Sequence, residues 1–96
     1  LAGDFNVAAS TPELDVMLGT LAASWPPVVG TVRTTWDPDN NEWADGPAAW
    51  LDYVLIAHGY AAPSAAWNRA LPLREGGRDL SDHYAVWARV ALAPDP

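Results

Sequence analysis

The sequence predicts a small α/β protein in which one helix packs against a layered sheet. Half of the 96 residues are hydrophobic and only 18% are charged, so the chain can bury a core. One stretch, residues 12–23, has apolar side chains at helical spacing, whereas several shorter stretches have the composition of strands. A helix and strands that follow one another along a short chain are typical of layered sheet proteins.

The first segment, residues 1–7, has the pattern of the end of a strand. The chain begins with leucine rather than methionine, and a domain seldom begins in mid-strand, so we expect it to be a piece of a longer chain. One helix and a few strands cannot cover both faces of a layered sheet. We therefore expect this chain to pack against a missing N-terminal half, which would also carry any export signal.

A helix is predicted over residues 12–23. Pro12 fits the first helical turn, and Glu13 is favourable near the positive end of the helix dipole. Four apolar side chains then recur at helical spacing: Leu14, Met17, Leu18 and Leu21. The helix should end before the two prolines at 26 and 27.

Strands are predicted over residues 30–36, 50–57 and 83–92, with a short strand over 67–71. The intervening segments 37–42 and 59–66 have the composition of loops. Residues 74–78 predict a polar turn because they include Gly76 and Gly77. We assign residues 1–92 to the folded part and residues 93–96 to a tail.

Composition disfavours non-specific binding of nucleic acid and excludes some other classes of function. The net charge is −7 and the five basic residues are scattered, so no basic stripe exists to follow a phosphate backbone. The absence of cysteine excludes a disulfide framework, a cysteine nucleophile and thiolate metal sites. No apolar run approaches the roughly 18–20 residues of a membrane-spanning helix.

Three acidic clusters lie at the boundaries of predicted strands. Asp4 and Asn6 are two residues apart, so in an extended segment they present a carboxylate and a carboxamide on one side. Asp52 interrupts an apolar strand and needs a partner if it is buried. Asp82 precedes His83 where the last strand begins. Carboxylates with one histidine and no cysteine suit a hard divalent cation such as Mg²⁺ and phosphoryl chemistry.

Each cluster also has a purely structural explanation. The Gly-Asp-x-Asn pattern at residues 3–6 occurs in ordinary turns, and Asp52 could be a surface acid on an edge strand. Ser81 and Asp82 could form the cap of a helix or strand end, and His83 could be a core histidine with satisfied hydrogen bonds. The coincidence of all three clusters with strand boundaries favours a shared site.

Three motifs follow one another along the chain: GDFN at residues 3–6, WLDYVL at 50–55 and LSDHYAV at 80–86. Their order and spacing resemble the endonuclease/exonuclease/phosphatase superfamily, which has the DNase I-like fold. The segment TWDPDNN at 35–41 resembles the bacterial neutral sphingomyelinases within it. The resemblance implies that this chain is the C-terminal half of a four-layer α/β/β/α sandwich.

The resemblance also implies a role for each residue of the three motifs. His83 matches the general base or a phosphate ligand, and Asp52 matches the acid that orients this histidine. Asp4 matches the acid near the attacking water or the leaving group, and Asn6 matches a hydrogen-bond donor to the phosphate. Asp82 matches an acid at or near the metal.

The implied activity is Mg²⁺-dependent hydrolysis of a phosphodiester, in the sphingomyelinase branch with release of phosphocholine from sphingomyelin or a related phospholipid. Thr35 and Trp36 would line the substrate side. A secreted bacterial protein with peripheral membrane contact is expected. Alternatives within the fold are a nuclease or a sugar-phosphate phosphatase, and a non-catalytic binding domain is the alternative outside enzymes.

Two departures from the family pattern stand out. The main metal-ligand glutamate of the family has no match here, so we expect the 96-residue chain alone to be inactive and to bind Mg²⁺ weakly. Haemolytic sphingomyelinases carry a long aromatic hairpin before the last motif, whereas residues 63–80 are short and contain only Trp67 as an aromatic. This difference counts against membrane insertion.

The six tryptophans have two explanations. Trp50 and Trp87 lie in predicted strands and should be core residues. Four others lie in or near predicted loops: Trp25, Trp36, Trp43 and Trp67. They could form a surface for lipid or choline, because aromatic faces attract quaternary ammonium groups, or they could pack against the missing half.

Overall fold

The structure is a computed structural model that describes residues 1–58 and 61–92. Within these residues it has one helix, α1, and eight strands, in the order β1 (Ala2–Asp4), α1 (Pro12–Leu21), β2 (Ala23–Ser24), β3 (Asp52–Val54), β4 (Ile56–Ala57), β5 (Ala61–Leu71), β6 (Arg74–Glu75), β7 (Arg78–Asp79) and β8 (Ala85–Leu92). Strand β1 pairs with β3, β2 with β4, β5 with β8 and β6 with β7, all antiparallel.

The fold class is therefore a mixture of one helix with strands, as predicted, but the described strands form four two-stranded sheets rather than one layered sheet. None of the described helices is long and apolar enough to cross a membrane. The predicted tail at 93–96 and the start of the predicted loop at 59–60 lie outside the described residues.

Helix α1 agrees with its prediction to within two residues. Pro12 occupies the first turn, where its missing N–H costs nothing. Ala22 ends the helix in the left-handed conformation, with φ of 48°, and its N–H bonds back to the carbonyl of Gly19. The helix cannot extend to residue 23 because Ala23 already pairs with Ala57.

The core lies between α1 and the strands that follow residue 50. Leu14 from the helix and Trp50, Tyr53 and Leu55 are buried together. Trp25 packs its ring 5.6 Å from Trp50 and 5.2 Å from Tyr53, measured between ring centroids. The prediction for Trp50 is thus confirmed, and Trp25 is part of the core rather than of a ligand surface.

Three of the predicted strands differ from the structure. The strand predicted over 50–57 is divided at residue 55 into β3 and β4, which pair with different strands. Residues 30–36 form no strand; their one bridge joins Trp36 to Ala49, and Thr35 bonds the backbone of Leu51 and Asp52 through its side chain. Strand β5 begins at Ala61, well before the predicted 67–71. Its alanine-rich start has weak strand propensity, and the pairing with β8 overrides this.

The predicted turn at 74–78 is a tight hairpin that joins β6 to β7. Gly76 and Gly77 have φ of 60° and 78°, a conformation that favours glycine in two-residue hairpin turns. This turn chemistry is local, so the sequence predicts it directly.

The last strand carries a tryptophan that does not lie in the core. Trp87 is 52% exposed, which contradicts its predicted burial. It lies on the outer face of the β5–β8 ribbon, 5.1 Å from Trp67 between ring centroids. Successive residues of a strand point to opposite faces, and here the inner face is taken by Val86 and its neighbours.

Candidate active site

Three distant segments of the chain meet at one end of the β1–β3 pair. Asp4 is the last residue of β1 and is paired directly with Asp52, the first residue of β3. Directly opposed residues in an antiparallel pair point to the same face, so both carboxylates emerge together. His83 reaches them from the turn before β8.

The central contact is between His83 and Asp52. Nδ1 of His83 lies 2.7 Å from Oδ2 of Asp52, a distance typical of a charge-assisted hydrogen bond. A carboxylate accepts only, so the imidazole donates from Nδ1 and its Nε2 is the second, outward-facing nitrogen. Asp52 therefore has the partner that its place in an apolar strand requires, which excludes the surface-acid explanation.

The surroundings of His83 raise its pKa above the ordinary value. Partial burial of the ring acts in the opposite direction, because it disfavours the charged form. The hydrogen bond to Asp52 and the negative charges of Asp52, Asp4 and Asp82 together outweigh this burial. The result is an imidazole that is more basic than a free histidine.

Asp4 faces the outward nitrogen of His83. Its Oδ2 lies 3.7 Å from Nε2, which is too long for a direct hydrogen bond but allows both atoms to hold one water molecule. Its Oδ1 accepts a hydrogen bond of 2.8 Å from the backbone N–H of Asn6. The side chain of Asp4 is 47% exposed, so this edge of the site is open to a substrate.

Asn6 lies at the rim of the site, beyond Asp4. Its backbone has φ of 52°, and its side chain is exposed. The chain thus turns sharply after β1, so the GDFN motif is a turn as well as a candidate phosphate contact. Asparagine tolerates this left-handed conformation better than most residues.

Asp82 lies outside the group formed by Asp4, Asp52 and His83, whose donor atoms lie within 4.8 Å of one another. Its side chain is exposed and accepts a hydrogen bond of 3.3 Å from the Ser81 hydroxyl. The same hydroxyl accepts the backbone N–H of His83 at 3.2 Å. Ser81, rather than Asp82, therefore caps the turn.

The donor set fits a hard cation in part. Asp52 and His83 already satisfy each other, so a cation that took Oδ2 of Asp52 or Nδ1 of His83 would break their hydrogen bond. The carboxylates of Asp4 and Asp82 are oxygen donors of the kind Mg²⁺ prefers, and Mg²⁺ commonly uses one or two carboxylates with water and substrate. The Asp52–His83 pair is thus suited to proton transfer, whereas Asp4 and Asp82 have carboxylate oxygens of the kind that a hard cation takes.

The two residues predicted to line the substrate side occupy different places. The ring of Trp36 meets the imidazole of His83 edge-on at 5.0 Å, and its Nε1 donates to the carbonyl of Asp45 at 2.7 Å. Thr35 is fully buried, with 0% exposure, and lies behind the site instead of on its surface. The sequence contained no signal for this inner position.

Sequence reasoning also missed a buried contact that supports the last motif. Asn41 is buried, and its side-chain Nδ2 donates to the carbonyl of Ser81 at 2.8 Å. It thus ties the loop after Trp36 to the segment that carries His83. An asparagine in a loop-like stretch is so common that its burial could not be foreseen.

The sequence of the chain is similar to those of known proteins. The chain is 32% identical to a sphingomyelinase C of Bacillus cereus over 113 positions, covering 94% of this chain and 34% of the relative. A second sphingomyelinase C of Bacillus cereus is 30% identical over 115 positions, covering 96% and 34%. The chain thus spans about a third of the length of the curated relatives it matches.

The aligned positions outnumber the 96 residues of the chain, so these relatives carry additional residues inside the matched region. The family model for the Endonuclease/Exonuclease/phosphatase family matches residues 1–83, which include the first two motifs and the first four residues of the third, and end at the histidine of the site. The chain therefore belongs to the Endonuclease/Exonuclease/phosphatase family.

Proposed function

We propose that this protein is a metal-dependent phosphodiesterase that hydrolyses sphingomyelin or a related phospholipid and releases phosphocholine. The observation that carries the proposal is the His83–Asp52 hydrogen bond, which leaves Nε2 of His83 directed toward Asp4. The similarity to two sphingomyelinases supports the substrate class.

His83 acts as the base in this proposal. Its Nε2 takes a proton from a water molecule as the water oxygen attacks phosphorus and the bond to the leaving oxygen breaks. Asp52 keeps the ring in the required tautomer and stabilises the imidazolium that forms. Asp52 acts through His83 and is therefore a positioning residue.

The remaining polar groups of the motifs surround the reacting phosphate. Asp4 holds the attacking water from the side opposite Nε2, at the 3.7 Å gap between the two side chains. Asn6 donates from its exposed carboxamide to a phosphate oxygen. Asp4 and Asp82 are the residues that would hold Mg²⁺, which would supply positive charge to the phosphoryl oxygens.

The position of Trp36 beside His83 favours a substrate that has a choline headgroup. Its ring lies beside His83, so a substrate whose phosphate meets Nε2 would extend a quaternary ammonium group near an aromatic face. Secretion and contact with a phospholipid surface belong to the same proposal, since both similar proteins are sphingomyelinases and sphingomyelin is a membrane lipid.

The first experiment measures phosphocholine release from sphingomyelin vesicles by the protein in the longest form that can be expressed. We expect release with Mg²⁺ and none with EDTA. Parallel assays use bis(p-nitrophenyl) phosphate and linear DNA. Hydrolysis of the soluble diester or of DNA without phosphocholine release would contradict the lipid substrate and retain the phosphodiesterase.

Replacement of the proposed base gives the second test. We expect His83→Ala to lower kcat by about 100- to 10,000-fold, because proton transfer by a positioned side chain contributes about this much. His58→Ala is the matched control, since His58 is exposed and its Nε2 only meets the Ser24 hydroxyl at 3.2 Å. Near-normal kcat in His83→Ala would remove His83 from the role of base.

A further inference from the structure

We infer that Thr35 is a positioning residue that sets the distance between Asp52 and His83. The catalytic consequence rests on the function proposed above, whereas the structural claim stands on hydrogen bonds alone. Thr35 is a fully buried polar residue in a segment that forms no regular strand. Buried polar groups are costly unless every hydrogen bond is made, so such a residue calls for an explanation.

The side chain of Thr35 holds the strand that carries Asp52. Its Oγ1 accepts the backbone N–H of Leu51 at 2.8 Å and that of Asp52 at 3.3 Å. The opposite edge of this strand is already paired with β1, through Asp4 and Asp52 and through the N–H of Phe5. One hydroxyl oxygen thus accepts the hydrogen bonds that the carbonyl groups of a neighbouring strand would otherwise accept at this edge.

The backbone of Thr35 holds the segment that carries His83. Its carbonyl accepts the N–H of Tyr84 at 2.8 Å, one residue after His83. Its own N–H donates to the carbonyl of Ala49 at 3.1 Å, which fixes Thr35 in place. Thr35 is therefore bonded both to Asp52 and to the neighbour of His83, so a shift of its backbone would change the 2.7 Å contact between them.

Valine is the informative substitution because it has the shape of threonine and no acceptor. Thr35→Val would leave the N–H groups of Leu51 and Asp52 without their acceptor. Thr35→Ser retains the oxygen and loses only a methyl group. Thr11→Val is the matched control, because the Thr11 hydroxyl also bonds a backbone group, the carbonyl of Ala8 at 2.7 Å, but at the start of α1.

The first readout is kinetic, measured on the longest form of the protein that can be expressed, with bis(p-nitrophenyl) phosphate and Mg²⁺ and with the fold of each variant checked by circular dichroism. We expect Thr35→Val to lower kcat by about 10- to 100-fold with little change in KM, since a misplacement of about 1 Å in a catalytic group has an effect of this size. Thr35→Ser should recover most of kcat, and Thr11→Val should retain it.

The second readout is the proton resonance of His83 Nδ1–H, which a hydrogen bond to a carboxylate shifts far downfield. It should be present in the unsubstituted protein and in Thr35→Ser and be weakened or lost in Thr35→Val. No substrate is needed, so this arm tests Thr35 even if no phosphodiester is hydrolysed. If Thr35→Val does not fold, Thr35→Ala, which leaves room for a water to meet the two N–H groups, takes its place. An unchanged resonance together with unchanged kcat would overturn the inference and leave the proposed function intact.

Discussion

Tyr53 lies directly behind the residue that orients the proposed base. Its ring is buried, and its hydroxyl donates to the carbonyls of Val7 and Trp50. Tyr53 thus joins the turn after Asn6 to the strand that carries Asp52. Burial raises the pKa of Tyr53 to about 12, with a further contribution from the charge of Asp52.

This shift predicts a loss of stability at alkaline pH. An unfolded tyrosine has a pKa near 10, so the stabilisation from the folded, neutral phenol is complete below pH 10 and is lost as the pH rises toward 12. We expect the free energy of unfolding in urea to fall between pH 10 and about pH 12. The decrease should be smaller in Tyr53→Phe, which has no phenol at this position. Tyr84 also has a raised pKa, so only the difference between the two proteins reports on Tyr53. Equal decreases in both proteins would contradict this assignment.

Trp36 predicts a difference between substrates. In the proposed function its ring, beside His83, meets the quaternary ammonium group of the substrate, an interaction worth about 0.5–2 kcal/mol. We expect Trp36→Ala to raise KM for sphingomyelin by about 2- to 30-fold and to affect bis(p-nitrophenyl) phosphate less. Trp43→Ala is the control, since Trp43 is also in this loop and instead meets the guanidinium of Arg78. Equal losses on both substrates would assign Trp36 to packing.

The β6–β7 hairpin holds the loop that begins at Trp36. Asp79 is buried; its Oδ1 accepts from Nε of Arg74 at 2.9 Å and its Oδ2 from the N–H of Glu42 at 3.3 Å. The indole N–H of Trp43 donates to the carbonyl of Asp79 at 2.7 Å. The hairpin and the loop thus form one unit beside the site.

The contacts between the hairpin and the loop predict that replacing Asp79 lowers the free energy of unfolding more than replacing Glu42 does. Asp79→Ala removes a buried acceptor and leaves the Nε of Arg74 and the N–H of Glu42 without their partner, so we expect the free energy of unfolding to fall by about 1–3 kcal/mol. Glu42→Ala removes only the exposed pair with Arg78, so it should lower the free energy of unfolding by less. Urea unfolding of both variants measures the difference. Equal costs would mean that the hairpin does not anchor the loop through Asp79.

At the level of elements, local chemistry explains which predictions succeeded. Pro12 at the start of α1 and the glycine pair at 76–77 act through backbone conformation alone, and both were correct. The conformation of residues 30–36 and the length of β5 depend on pairing with residues that are distant in sequence. The hydrophobic periodicity of a segment carries no information about such partners. The residue types of the site could be recognised in the sequence. The burial of Thr35 could not, because it depends on how the segments at residues 51–52 and 84 pack around it.

The whole molecule brings together residues 4, 52 and 83 from a chain of 96. Each of these three residues comes from a different segment of the chain. The site therefore forms only when the described residues are folded. The chain also covers about a third of its relatives' length. Its acidic balance, with a net charge of −7, favours cations over anions at long range.

Cation binding by the 96-residue chain is therefore testable by itself. The proposed function assigns Mg²⁺ to Asp4 and Asp82, and two carboxylates leave most positions around this ion to water. We expect weak Mg²⁺ binding in calorimetry and no turnover of any phosphodiester. Asp82→Asn should weaken the binding further, and Asp39→Asn, an exposed acid in the 37–42 loop, should leave it unchanged. Tight binding or turnover by this chain alone would contradict the expectation.

The left-handed backbone at Asn6 limits which variants nature could try there. Only a few residues accept a φ of 52° without strain, chiefly glycine, asparagine and aspartate. The substitutions that this backbone allows are therefore few. Glycine would remove the carboxamide, and aspartate would place a second negative charge beside Asp4. Either single substitution changes the polar group at the rim of the site and keeps the backbone conformation of the turn. We therefore expect relatives with different substrate preferences to differ at position 6 and to retain the same fold.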